Sequence, residues 1–224
     1  RRRVADAARA ERTQGATLRC VSGTSRAPDA SRLLVVRHGQ SEWNAQRRWQ
    51  GRADIELTEE GERQAQRAAD LLGTFHLIAA SSLRRARRTA EIIASRHGVD
   101  EVVVDERLRE CDVGPWQGLT YSQIEEGWPG WVRAGRQPDG FEPNHEVVAR
   151  MSAAFRDLVA MAGGDDVLVV SHSGAIRTMR RAMGAHDERL ENLGGSWFHV
   201  GTDGAVHPGE LVQVLGAVDS AETL

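Results

Sequence analysis

The chain contains no lysine: all 29 positive residues among its 224 are arginines. Schiff-base chemistry on a lysine amine is thereby excluded, and so is the lysine that a P-loop turns toward nucleotide phosphates. Any anion bound here is held by arginine, histidine or backbone N–H groups. Cysteine is scarce as well. Cys20 and Cys111 stand far apart and match no metal or redox spacing, so no structural disulfide is expected, and a reducing cytoplasm is the simplest compartment. No apolar run approaches the ~18 residues of a membrane span. A basic excess is missing too. The net charge is −3, with 40% hydrophobic and 27% charged residues, an ordinary globular balance that argues against nucleic acid as the main partner.

What is there begins with a contrast. Residues 1–32 carry eight arginines against Asp6, Glu11 and Asp29, and few large apolar residues. Such a segment cannot bury enough surface to offset its ordering entropy and reads as a disordered Arg-rich extension. It has no apolar stretch of the kind a secretory signal needs; a transit peptide is the alternative. A globular domain is expected over residues 33–218, with a short tail over 219–224.

From Leu33 onward strands and helices alternate. Leu33–Arg37, His76–Ala80, Glu101–Val104 and Val167–Val170 read as strands, with further strand signals near Ser196–Val200 and Leu211–Leu215. Helices are expected after Thr58, an N-cap followed by Glu59 and Glu60, and over Ser82–His97, Glu146–Met161 and Ser173–Met183. This order implies an α/β fold, a three-layer αβα sandwich around a mainly parallel sheet. Residues 114–143 break the pattern, with Trp116, Trp128, Trp131 and four prolines. They read as a lid-like insertion, or equally as loop aromatics packed on the domain flank.

In open α/β sheets ligands collect at the carboxyl ends of parallel strands. One strand ends Arg37-His38-Gly39, another Ser171-His172-Ser173-Gly174, and a third Ala80-Ser81, with Arg84 and Arg85 opening the next helix. Two histidines and at least two arginines would thus meet, and such like charges gather when an anion compensates them. A phosphate dianion does so with bidentate arginine geometry. A neutral imidazole can attack phosphorus near pH 7, and in-line phosphoryl transfer needs positioning and charge neutralisation above all. The leaving alkoxide needs a proton, hence a carboxylic acid. Arg84, Arg87 and Arg88 read as a solvated helix face. His76, His97, His145, His186, His199 and His207 show no paired spacing, and no metal site is indicated.

Five ordered blocks, "RHGQSEWN", "LTEEGERQA", "SSLRRARRTAEIIA", "LRECDVGPWQG" and "VVSHSGAIR", make the chain resemble the histidine phosphatase superfamily, also called phosphoglycerate mutase-like. The resemblance implies that His38 is a nucleophile that becomes phosphohistidine. It implies that Arg37 and Arg85 grip the phosphoryl oxygens, that His172 donates to the same oxygens, and that Glu110 protonates the leaving oxygen. Asn44 and Ser41 match positions that support the phosphate pocket, and Ser173 is placed with them as substrate-binding. Neither metal nor cofactor is implied.

Where the block after Glu110 reads Cys-Asp-Val-Gly, mutases carry a tyrosine; their substrate-gripping lysine cannot exist in this chain, and no Arg-Arg pair follows in the middle region. The expectation is therefore a phosphomonoesterase acting on a small organic phosphate, a sugar phosphate or a phosphoglycerate derivative such as glucosyl-3-phosphoglycerate. A cofactor-dependent phosphoglycerate mutase is the enzymatic alternative, and a non-catalytic phospholigand-binding module the alternative outside enzymes. "GFEP" at 140–143 departs from the Gly-Gly-Glu-Ser of relatives, so contacts of the insertion are expected to differ. The sequence leaves monomer or homodimer open.

Overall fold

The computed structural model describes residues 31–216. The expected N-terminal extension, apart from its last two residues, and the expected tail lie outside the described residues. Strand β1 runs Ser31–Arg37, two residues earlier than its apolar core suggests, because Arg32 pairs with Asp166 and stacks over Trp197. Next come α1 (Glu42–Ala45), α2 (Glu59–Leu71), β2 (Leu77–Ser81), α3 (Arg84–His97) and the short β3 (Val103–Asp105). The excursion holds α4 (Tyr121–Gly127); α5 (Asn144–Ala162), β4 (Val167–Ser171), α6 (Ser173–Ala182), β5 (Gly194–Val200) and β6 (Val206–Gln213) follow.

The six strands form one sheet in the order β3-β2-β4-β1-β5-β6. The first four are parallel; β5 runs antiparallel to β1, and β6 to β5. Side chains of the central strands alternate between two cores, as a period of two requires. Leu33, Val35, Val167 and Val169 face Met151, Phe155 and Leu158 of α5 and Ile176 and Met179 of α6. Leu34, Val36, Leu168 and Val170 face Ala68 and Ala69 of α2 and Ala90 and Ile93 of α3. With both faces covered, the strands can be apolar throughout, which is why they read as continuous runs. The fold is the expected three-layer αβα sandwich.

The excursion has a small core of its own. Trp116 is buried at its centre, with Trp49, Trp128 and Phe141 packed edge-on around it at 5.1, 6.3 and 5.8 Å between ring centroids. Val113 and Ile124 complete it. Of the two readings of these aromatics, packing describes Trp116. Arg136 lies over the Trp131 ring at 4.4 Å. No helix among the described residues is long and apolar enough to cross a membrane.

Candidate active site

Three neighbouring strands end together. Register pairs Arg37 of β1 with Ser171 of β4, and His38 N donates to Ser171 O at 3.1 Å, so the residues following both strands emerge side by side. His38 and His172 are buried, with ring centroids 5.2 Å apart in an edge-on arrangement. Strand β2, on the other side of β4, delivers Ser81, whose hydroxyl lies 2.9 Å from His172 Nε2.

A hydrogen bond assigns the proton of the His38 imidazole. His38 Nδ1 lies 2.6 Å from Gly39 O, an acceptor only, so Nδ1 carries the proton and Nε2 presents a lone pair. Arg85 Nε donates to that Nε2 at 3.2 Å. Ser81 Oγ accepts from Leu83 N at 3.2 Å and lies 2.9 Å from His172 Nε2, as donor or acceptor according to the ring's tautomer. His172 Nδ1 is a buried ring nitrogen without a hydrogen-bond partner among the described residues. Burial, then the charges of Arg85 and Arg37, holds His38 well below the ordinary 6.5; burial, Arg85 and His38 do the same to His172. Both rings are neutral at pH 7.

Arg85 is fully buried and splayed across a loop, donating from Nη1 to Ala53 O (2.6 Å) and from Nη2 to Gly51 O (2.9 Å). Arg37 donates from Nη1 to Leu190 O at 2.8 Å. Burial lowers both guanidiniums to about 10, against the pull of Glu110 on each, so both remain cationic. Gly39 sits where the chain crosses the first turn of α2. A Cβ on Gly39 would run into Gly61 O, and one on Gly61 into Gln40 O. Thr89 clamps the same loop, accepting from Gly39 N at 3.1 Å and donating to Arg85 O at 2.7 Å.

Glu110 approaches from the opposite side, with its carboxylate on the first turn of α6. Its Oε1 accepts from Cys111 N (2.9 Å) and Ala175 N (2.7 Å), and its Oε2 from Gly174 N (3.0 Å). A Cβ at Gly174 would lie 2.5 Å from Oε1, so this approach requires glycine. Oε1 is saturated, while Oε2 keeps a lone pair on which a proton can be carried.

The other expected residues are placed differently. Ser41 caps α1; it donates to Gln50 Oε1 at 2.9 Å and accepts from Asn44 N at 3.4 Å. Asn44 returns the capping-box contact, its Oδ1 accepting from Ser41 N at 3.2 Å. Ser173 opens α6, half-buried, directly after His172. Arg84, Arg87 and Arg88 are exposed and pair with Glu56, Glu91 and Glu62. Sequence reasoning missed Asn192, which donates to His38 O at 2.9 Å and lies 3.5 Å from Asn44 Oδ1. It also missed Glu142 and Arg150. Two faint signals pointed to them: an asparagine just before a glycine-led strand, and a glutamate inside "GFEP". Among the described residues no group of three or more His, Cys, Asp or Glu is arranged to hold a metal ion.

Residues 33–200 match the model of the histidine phosphatase superfamily (branch 1). The chain belongs to this superfamily. Over 169 residues it is 41% identical to glucosyl-3-phosphoglycerate phosphatase of Mycobacterium tuberculosis, covering 69% of this chain and 75% of that one. It is 44% identical over 154 residues to a protein of Cronobacter sakazakii named probable phosphoglycerate mutase, covering 64% and 70%. Among solved structures, a mycobacterial glucosyl-3-phosphoglycerate phosphatase in complex with VO3 superposes with a TM-score of 0.71 at 32% identity, over 82% of this chain and 98% of that one. This histidine phosphatase is a phosphomonoesterase.

Proposed function

We propose that the enzyme hydrolyses a sugar-bearing phosphoglycerate ester, of the glucosyl-3-phosphoglycerate class, through a phosphohistidine on His38, without metal or cofactor. The observation that carries the mechanism is the Nε2 lone pair of a neutral, buried His38 lying beside Arg85. Nε2 attacks phosphorus as the P–O bond to the leaving group breaks, and Glu110 Oε2 gives that oxygen its proton. Water then attacks phosphorus and breaks the P–N bond, its proton passing to Glu110, and inorganic phosphate leaves. Arg37, Arg85 and His172 Nδ1–H neutralise the phosphoryl oxygens; their fixed positions cost no reorganisation during transfer. Ser41 holds Asn44 in its capping box, and Asn44 and Ser173 contribute to the phosphate pocket.

The substrate class rests on the mycobacterial relative and on the excursion, where Trp128 and Trp131 are only partly buried and Trp131 carries Arg136 over one face, aromatic and cationic groups that suit a sugar bearing an anion. We further place the enzyme in the cytoplasm, where Cys111, a buried free thiol, stays reduced. A second reading, mutase, is favoured by the relative named probable phosphoglycerate mutase. One experiment separates the two: phosphate release is compared with phosphoryl shift on 3-phosphoglycerate primed with its bisphosphate, alongside glucosyl-3-phosphoglycerate hydrolysis, all without metal. Rapid quench should trap acid-labile label on His38. Phosphoryl shift faster than phosphate release would overturn the hydrolase reading, and label undiminished in His38→Ala would overturn the mechanism.

A further inference from the structure

Arg150 of α5 uses its whole guanidinium. Nε and Nη2 donate to the two carboxylate oxygens of Glu142 at 2.7 and 2.9 Å. Nη1 donates to Arg107 O and Arg109 O, each at 2.7 Å, and Nη2 also reaches Glu110 O at 3.2 Å. A single planar cation therefore holds three carbonyls of the segment that presents Glu110. Glu142, buried at 7% exposure near the end of the excursion, is shared on its other side. Asp112 N donates to its Oε2 at 3.1 Å, and Arg52 Nη2 donates to its Oε1 at 3.0 Å. Burial disfavours the Glu142 anion, but the Arg150 and Asp112 hydrogen bonds and the charges of Arg150 and Arg52 outweigh it and hold the group below its ordinary value.

Arg52 stands between Gly51 and Ala53, whose carbonyls anchor the Arg85 guanidinium. A continuous path of charge-assisted bonds thus runs from the loop that braces the phosphate clamp, through Arg52, Glu142 and Arg150, to the backbone of the acid.

We infer that Glu142 and Arg150 are positioning residues that fix the distance between the Arg85 clamp and Glu110, so that the proton reaches the leaving oxygen while the phosphoryl group is gripped. This deepens the reading of Glu110 as the general acid and rests on it. An ion pair that merely stabilised the fold would need no contact with three carbonyls of the acid's own segment, nor with the clamp loop. The fork geometry also explains why arginine is required here, since an ammonium cannot bond a carboxylate side-on and still span those carbonyls.

The test uses Arg150→Lys and Glu142→Gln in the full chain, with Glu110→Gln as reference. Each is assayed on p-nitrophenyl phosphate, whose leaving group needs little protonation, and on 3-phosphoglycerate, whose alkoxide does. Both variants should stay folded by circular dichroism. The kcat on 3-phosphoglycerate should fall about tenfold further than on p-nitrophenyl phosphate, part of the ~10²–10⁴ that acid catalysis supplies. KM should change little on either ester. In the Glu110→Gln background, Arg150→Lys should add less than about twofold on 3-phosphoglycerate, as residues acting as one unit do. Equal losses on both esters, or full additivity with Glu110→Gln, would overturn the inference. Should Arg150→Lys fail to fold, Glu142→Gln, nearly the same shape without the charge, decides by the same comparison. A Glu110→Gln enzyme with no leaving-group bias would overturn the acid reading and this inference together. A biased Glu110→Gln beside unbiased Arg150→Lys and Glu142→Gln overturns this inference alone.

Discussion

Arg85 donates through Nε to the Nε2 of His38, 3.2 Å away, while both of its Nη atoms are anchored on the carbonyls of Gly51 and Ala53. The guanidinium is preset beside the atom proposed to attack phosphorus and is held there from both ends. In the proposed mechanism an incoming phosphoryl oxygen competes for the Nε–H hydrogen bond and, by accepting it, frees the Nε2 lone pair of His38. A lysine at this position would supply the charge without the fixed plane. Arg85→Lys should therefore lower kcat/KM on p-nitrophenyl phosphate by about 10²–10³, the usual cost of losing an oxyanion donor. It should also weaken competitive inhibition by vanadate. A loss smaller than about fivefold would remove Arg85 from the proposed machinery.

The buried histidines make stability depend on pH. Both have native pKa values well below the ordinary 6.5, chiefly through burial, with neighbouring arginine charge adding to it. In the unfolded chain both take up protons near pH 6.5. Below that point the unfolded state binds more protons than the native one, so stability is full above about pH 6.5 and falls as the solution is acidified. Urea midpoints at about pH 7.5 and about pH 5.5 measure the slope. In the empty enzyme His172→Gln should flatten it, and an unchanged slope would mean that His172 is not held neutral by the fold.

Gly61 should be intolerant for a backbone reason. Alanine there would drive its methyl group into Gln40 O and push the His38–Ser41 loop off α2. Gly61→Ala is expected to cost about 1–3 kcal/mol, an overpacking penalty, and to depress kcat as well. Thermal melts and steady-state kinetics on one preparation check both. Wild-type activity in a variant of normal stability would show that the loop tolerates the shift.

The tryptophans divide into two kinds. Trp116→Ala removes the centre of the excursion's own core and should cost about 3–5 kcal/mol or melt the excursion locally. Trp131→Ala should leave stability nearly unchanged and p-nitrophenyl phosphate turnover intact. It should raise KM several-fold on glucosyl-3-phosphoglycerate if the ring faces the sugar. Equal KM on that substrate would move specificity away from Trp131.

The sheet and its helices were legible because the central strands are buried on both faces and the long helices keep their buried apolar residues at helical spacing, α2 alone of the four adding a side-chain N-cap. There Thr58 accepts from Gly61 N at 3.1 Å as its Glu-rich first turn suggests. The positions of Arg37, His38 and His172 at strand ends, and of Arg85 in the first turn of the helix after β2, were legible for the same reason: topology alone brings such ends together. The α4 helix was missed although its signature is local. Thr120 and Gln123 form a capping box, but glycine, proline and tryptophan around them masked it. The sequence signals for Asn192, Glu142 and Arg150 were too faint to place their contacts. Each acts across loops far apart in sequence, and Asn192 precedes Leu193, whose left-handed φ of 59° no propensity anticipates. The "GFEP" stretch, expected to alter contacts of the excursion, retains a buried glutamate paired with Arg150 and Arg52.

With Nδ1 of His38 pledged to Gly39 O, the ring has one nitrogen left to offer. For the proposed phosphoenzyme on His38 the regiochemistry is thereby decided before any substrate arrives, and the adduct should be exclusively the N3 (τ) isomer. The two phosphohistidine isomers are distinguishable by phosphorus NMR of the denatured adduct and by isomer-selective antibodies. A trapped intermediate carrying the N1 (π) isomer would require the His38 ring to flip and abandon both Gly39 O and the Arg85 Nε–H.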